Sequence, residues 1–129
     1  MSGLTVSLSP AQSWAPGAYR FTLQADGQTE TCTGSLPLPP CDQGRALACT
    51  GAALARITES GCALAATAQG FSSIELDSGP AHLTVLIEHD GRVIGSASLA
   101  PMYLTLRPNG PACEPVCRQA RATIVVAAQ

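Results

Sequence analysis

Two Asp-Gly pairs constrain this chain more than any other feature. Asp26-Gly27 lies in "AYRFTLQADGQTETCTGSL" and Asp90-Gly91 in "HLTVLIEHDGRVIGSASLAP", each between runs in which apolar and polar residues alternate. Asp-Gly accommodates the positive φ that a two-residue type I′ turn needs at both central positions, and a period of two suits a strand with one buried face. Two hairpins are therefore predicted. In the first, residues whose numbers sum to 53 face each other, so Phe21 opposes Cys32, Thr22 opposes Thr31 and Leu23 opposes Glu30. Tyr19, Phe21, Leu23 and Cys32 then share the buried face, while Arg20, Thr22, Gln24, Thr29, Thr31 and Thr33 point outward. In the second, the same rule sets Leu83, Val85 and Ile87 opposite Ser98, Ser96 and Ile94, with Thr84, Leu86 and Glu88 on the other face.

The rest of the chain reads in the same way. "LTVSLSP" alternates Leu4, Val6 and Leu8 with polar residues, positions 11–17 form a turn, "FSSIEL" at 71–76 is a strand, and "MYLTLR" and "RATIVVAA" add two more. "LPLPPCDQG" is a proline-rich loop. Over 45–68 the alanines favour helix, but Gly51 and Gly61 interrupt the pattern, so short strands and one short helix are both compatible with it. Ten prolines and twelve glycines cut the apolar residues into short runs, which reads as many short strands more readily than as long helices. About eight to ten short strands between turn signals predict an all-β fold, an antiparallel two-sheet sandwich of the Ig-like type. At 129 residues, with no internal repeat, positions 1–129 make one domain.

Charge narrows the partners. The net charge is −2, lysine is absent, and the seven arginines are spread singly except for Arg118 and Arg121. A nucleic-acid binder needs a stripe of cations to displace condensed counterions, and none is present, so no nucleic acid is expected. The uncharged run in the alanine-rich middle, "ALACTGAALA", is ten residues, well short of the roughly 20 that span a bilayer. "MSGLTVSLSP" lacks the basic and apolar regions of a signal peptide. The expectation is that Met1 was added for expression in place of an export signal, and a lipid anchor on the native precursor is compatible with this.

That expectation comes from the six cysteines, Cys32, Cys41, Cys49, Cys62, Cys113 and Cys117. They form an even set with no C-x-x-C, and only Cys113 and Cys117 approach the spacing of a zinc ligand pair, with no histidine near them. Structural disulfides are the better reading, and they place the chain in an oxidising compartment: periplasm, outer cell surface or extracellular space. Six cysteines allow fifteen pairings, and spacing alone does not choose among them. Cys113 and Cys117 are close enough to bridge around "EPV". Cys32 points inward and Cys49 follows an apolar run, which favours that pair and leaves Cys41 with Cys62.

Catalytic constellations are weak. None of the eleven serines sits in G-x-S-x-G. His82 and His89 are seven residues apart, so one continuous strand points them to opposite faces, and His89 beside a hairpin turn reads as a solvated residue. Glu75 and Asp77 share a strand face, but two carboxylates on one strand cannot flank a sugar from both sides. No Gly-rich loop opens a helix, so no cofactor is expected. Met102 with the two histidines is the set a metal-handling role would draw on. Among the few aromatics, Trp14 in a polar turn beside Pro16 is the candidate for an exposed partner contact, with capping of the sandwich edge as its plainer role.

The segments "PGAYRFTLQADGQTETC", "LPLPPC", "ITESGCAL", "HDGRVIGSASLAPMY" and "PNGPACEPVCRQA" together resemble a family of small, uncharacterised exported bacterial proteins, many of them lipoprotein-like. Its mark is PNGPxCxPxC with a tyrosine upstream, here Tyr103. The resemblance covers about 16–126 and implies export and a β-sandwich; it brings no activity with it. The expected function is that of a non-enzymatic envelope or cell-surface module with a protein partner, structural or binding, within a larger surface assembly. The alternatives are an exported metal-handling protein and a hydrolase inhibitor presenting the loop 107–117. Within that loop Asn109, Gly110 and Glu114 join Trp14 as candidate partner contacts.

Overall fold

The computed structural model describes residues 2–106 and 117–128. These form ten strands: β1 (Ser2–Pro10), β2 (Gly17–Ala25), β3 (Gln28–Leu36), β4 (Ala48–Gly51), β5 (Arg56–Ser60), β6 (Gly70–Leu76), β7 (Leu83–His89), β8 (Arg92–Leu99), β9 (Leu104–Leu106) and β10 (Cys117–Val126). Short 3-10 turns lie at Cys41–Gln43 and Ala66–Ala68, and there is no α-helix among the described residues. One sheet runs β5-β6-β1-β10-β9 and the other β4-β3-β2-β7-β8, and the two pack as a sandwich.

Both Asp-Gly turns form. Asp26 and Gly27 have φ of 48° and 85°, Asp90 and Gly91 of 48° and 83°, positive at both positions as a type I′ turn requires. The first hairpin holds the predicted register, with Phe21 against Cys32, Thr22 against Thr31 and Leu23 against Glu30. The second does not. A bulge at Ile87/Glu88 shifts the pairing by one, so Leu83 faces Leu99, Val85 faces Ala97 and Ile87 faces Gly95. The physical reason is burial. Without the extra residue Ser96 and Ser98 would take the inward face; with it, Ile94 is 3% exposed, Ala97 and Leu99 are partly buried against the core, and both serines are exposed.

The sheets are not wholly antiparallel. β1 and β10 pair in parallel from Gly3↔Gln119 to Pro10↔Val126, both interior to their sheet. Parallel neighbours need a long crossover, and here the chain between the two strands is that crossover. Positions 45–68 resolve into β4, β5 and the second 3-10 turn, short strands and not a helix.

Alternating apolar residues from both sheets fill the interior, among them Leu4, Val6, Ile74 and Leu76 from one and Phe21, Leu23, Val85 and Ile87 from the other, all within 1% exposure. Each such side chain contributes about 1.5–3 kcal/mol by leaving water. One end of the core is aromatic. Trp14, Tyr19 and Phe71 meet edge to face with centroids 5.3–5.6 Å apart, and Phe21 joins Phe71 at 5.1 Å. The Tyr19 hydroxyl donates to the Ala15 carbonyl at 2.6 Å, four residues upstream, as in a tyrosine corner. Burial, with the nearby Asp90 charge, pushes its phenol up to about 12. A Cβ on Gly70 would stand 2.1 Å from the Trp14 ring, so only glycine lets the indole close over this end.

Candidate functional site

A groove of about 410 Å³ with both charged residues and an apolar wall runs along β5, within the size range of ligand sites. The loop 38–45 supplies Leu38, Pro39, Cys41 and Arg45; β5 supplies Arg56, Ile57, Thr58 and Glu59; Cys62 closes the far side. The Cys41–Cys62 disulfide ties the loop to the segment after β5. Without it, nothing in this Pro-rich stretch has the alternating pattern that would bring it back to a sheet.

Buried polar side chains finish the positioning. Glu59, 10% exposed, accepts the Ala46 N–H through Oε1 at 2.9 Å and the Leu47 N–H through Oε2 at 3.0 Å. Its Oε2 also lies 3.4 Å from Arg45 Nε, and Arg45 Nη2 donates to the Ile57 carbonyl. Gln69 accepts the Leu38 N–H at 2.6 Å and donates to the Leu64 carbonyl at 3.0 Å. Arg56, facing the outside of its sheet, donates to Glu75 across the β5–β6 pair. That hydrogen bond raises the Arg56 guanidinium above its already high ordinary value, so it stays charged at any physiological pH. Both arginine side chains are more than half exposed.

A second depression of about 310 Å³ lies around Arg20, Thr33 and Glu88. Arg20 and Glu88 approach to 3.9 Å there and meet each other's charge, which leaves little for a ligand.

The predicted residues are scattered relative to these features. Trp14, expected as an exposed contact, is only 7% exposed and belongs to the aromatic core, because Gly70 leaves room beneath it. Its edge-capping role is the one realised. His89 is not solvated either: its side chain is 11% exposed, its ring lies 4.7 Å from Tyr19, and Nε2 is 3.0 Å from the Pro16 carbonyl. His82, exposed, precedes β7 and His89 ends it, so the length of the strand separates the two histidines, and Met102 is 87% exposed beyond β8. Glu30, Cys32 and Cys49 are the one cluster of potential ligands among the described residues. Its two sulfurs are bonded to each other, and Glu30 Oε1 accepts the N–H groups of Leu54 and Ala55 at 3.1 and 3.0 Å. The cluster is a structural clamp.

Both disulfides favoured from the sequence, Cys32–Cys49 and Cys41–Cys62, are present. Asn109, Gly110, Cys113 and Glu114 lie outside the described residues, as does the side chain of Cys117, and with them the Cys113–Cys117 bridge. Arg45, Arg56, Glu59 and Gln69 were not singled out in the sequence. Parity offered one hint, since Glu59 follows Ile57 by two; nothing marked Gln69. No helix among the described residues is long and apolar enough to cross a membrane. Comparison of the chain with protein-family models, with curated proteins and with solved structures finds no match.

Proposed function

We propose that this chain is an exported, non-enzymatic binding module, an Ig-like sandwich of the periplasm, outer cell surface or extracellular space, that joins a larger surface assembly through the groove along β5. The groove carries the reading: charged and apolar groups converge on one open surface, held in place by a disulfide and by Glu59 and Gln69. Two disulfides support the oxidising compartment, and the resemblance to exported lipoprotein-like chains points the same way. The tyrosine corner at Tyr19 and the two-sheet packing support the Ig-like assignment. Met102 and Leu104, 87% and 68% exposed at the β9 edge, support residence in an assembly.

A photo-crosslinking residue at Thr58, in the groove, is expected to capture a defined envelope protein in native cells. The same residue at Thr31, on the outer face of the other sheet, is expected to capture none. Equal capture at both positions, or none at either, counts against the groove as the binding surface.

A further inference from the structure

We infer that two copies of this chain pair through β8, antiparallel about a twofold axis at Ala97, so that one sheet runs through both. β8 lies on the side of the sandwich away from β5, and the inference does not depend on the groove. An edge strand is a template for another strand unless charge, proline, a bulge or a cover blunts it. The other three edges are short or covered. β9 has three residues and β4 has four, and in β5 the Ile57 carbonyl is taken by Arg45. β8 has eight residues, its bulge lies near its start, and from Val93 to Leu99 it holds no ionisable side chain and no proline. The Ile94 carbonyl points away from β7 and accepts the Ala127 N–H at 2.7 Å. That trans peptide turns the Gly95 N–H the other way, and strand alternation then sends the N–H and C=O of Ser96 and Ser98 outward. Among the described residues no backbone group bonds them.

Alternating donors and acceptors along an edge are complemented by another strand, and β8 matches itself. With Ala97 on the axis, Ser96 of each copy exchanges both backbone bonds with Ser98 of the other, four bonds in all. No like charges meet in this register, the seryl side chains are small, and Pro101, which has no N–H, ends the pairing. The axis stands perpendicular to the sheet, so the second sheets of the two copies lie on the same side of it and β9 of one comes beside β9 of the other. That brings Met102 and Leu104, 87% and 68% exposed in the single chain, to the seam. Apolar side chains that would otherwise face water select a second copy over a soluble peptide, which would add a strand to β8 and leave them uncovered.

The test is sedimentation of the full chain, disulfides intact, over a range of concentrations, and a dimer that grows with concentration is expected. Ser98→Pro removes one outward N–H from each copy, half of the donors in the pairing, and a proline is tolerated on an edge strand where the N–H faces water. It is expected to weaken the dimer at least about tenfold and to leave the thermal midpoint of the dilute monomer unchanged. Ser96→Lys, which puts a charge on the edge without touching the core, is the second variant and is expected to do the same. Ala97→Cys is expected to oxidise to a covalent dimer, since residues on the axis face each other directly, as Cys32 and Cys49 do within the chain with Cα atoms 4.0 Å apart. Thr84→Cys, exposed on β7, is expected not to. A chain that stays monomeric at every concentration overturns the inference. So does a dimer that neither Ser98→Pro nor Ser96→Lys weakens, because it forms through another surface. If the chain is monomeric and a photo-crosslinking residue at Ser96 captures a different protein in native cells, the edge takes a foreign strand and the second copy is ruled out. None of these results bears on capture at Thr58 in the groove.

Discussion

The two halves of this molecule reach order by different means. The hairpins β2–β3 and β7–β8, with β1 and β6 across from them, are held by alternating apolar side chains that need no particular partner beyond the opposite sheet. The stretch 37–69 has two long loops, two short strands, and only Leu47 and Ile57 as buried aliphatic residues. It is held by Cys41–Cys62, by Cys32–Cys49 where β4 joins β3, and by the carboxylates of Glu30 and Glu59 and the amide of Gln69, each receiving loop N–H groups. Apolar packing tolerates exchange among residues of similar volume; a hydrogen-bonded clamp depends on the count and position of oxygens. The groove lies in the second region, where the fold is set by specific bonds.

Substitutions can break this contrast or sharpen it. Phe21→Ala removes a wholly buried ring packed edge to face on Phe71 and is expected to cost about 3–5 kcal/mol, lowering the denaturation midpoint of the whole chain in one transition. Replacing Cys41 and Cys62 together by serine is expected to cost about 3 kcal/mol by freeing the unfolded chain. Amide exchange should quicken in 37–69 before it does in β2 and β7; uniform quickening would erase the distinction between the regions.

The two carboxylate clamps should respond differently to Gln. Glu59 uses one oxygen for each of two N–H groups, so Glu59→Gln sets an NH₂ against one donor and is expected to cost about 1–3 kcal/mol. Glu30 accepts both of its bonds through Oε1, so Glu30→Gln retains an acceptor for both and is expected to cost less than Glu30→Ala and less than Glu59→Gln in chemical denaturation. Equal losses for the two Gln variants would sink this account of the clamps.

Tyr19 gives the apolar region a pH signature. Its phenol titrates near 10 when unfolded and is pushed up to about 12 in the core, so the folded state holds this proton more tightly. Its contribution is fully present below pH 10 and is lost as pH rises toward 12, and Tyr19→Phe should remove that part of the decline in thermal melts. The smallest effect is expected for Thr31→Val on the exposed sheet face, within about 0.5 kcal/mol by denaturation.

Much of the sandwich was legible in the sequence because its determinants are local. Asp26-Gly27 sets a turn, the turn sets a register, and the register sorts Tyr19, Phe21, Leu23 and Cys32 from their polar neighbours. The second hairpin shows where this stops. Its turn was visible, but the bulge exists because Ala97 and Leu99 gain burial against the opposite sheet in place of Ser96 and Ser98, and that sheet is remote in sequence. Glu30 was placed opposite Leu23 from the start, yet its role needed Leu54 and Ala55 to be brought to it. The groove was the least legible part. Arg45, Arg56 and Glu59 are ordinary residues in a low-pattern stretch, and nothing in their spacing announces that the Cys41–Cys62 disulfide ties the proline-rich loop to the segment after β5.

From the sequence alone came the strands with a period of two, the two I′ turns and the all-β class; it favoured Cys32–Cys49, with Cys41–Cys62 as the remainder, and the structure settled both pairings. The tertiary structure alone decided the parallel meeting of β1 and β10, the burial of Trp14, the packing of His89 against Tyr19, and the one-residue shift in β8. The division follows the range of the forces. Backbone conformation and side-chain alternation act over a few residues and are written in consecutive positions. Burial is settled by whichever surface arrives from elsewhere, so an indole in a polar turn becomes core once Gly70 leaves a place for it.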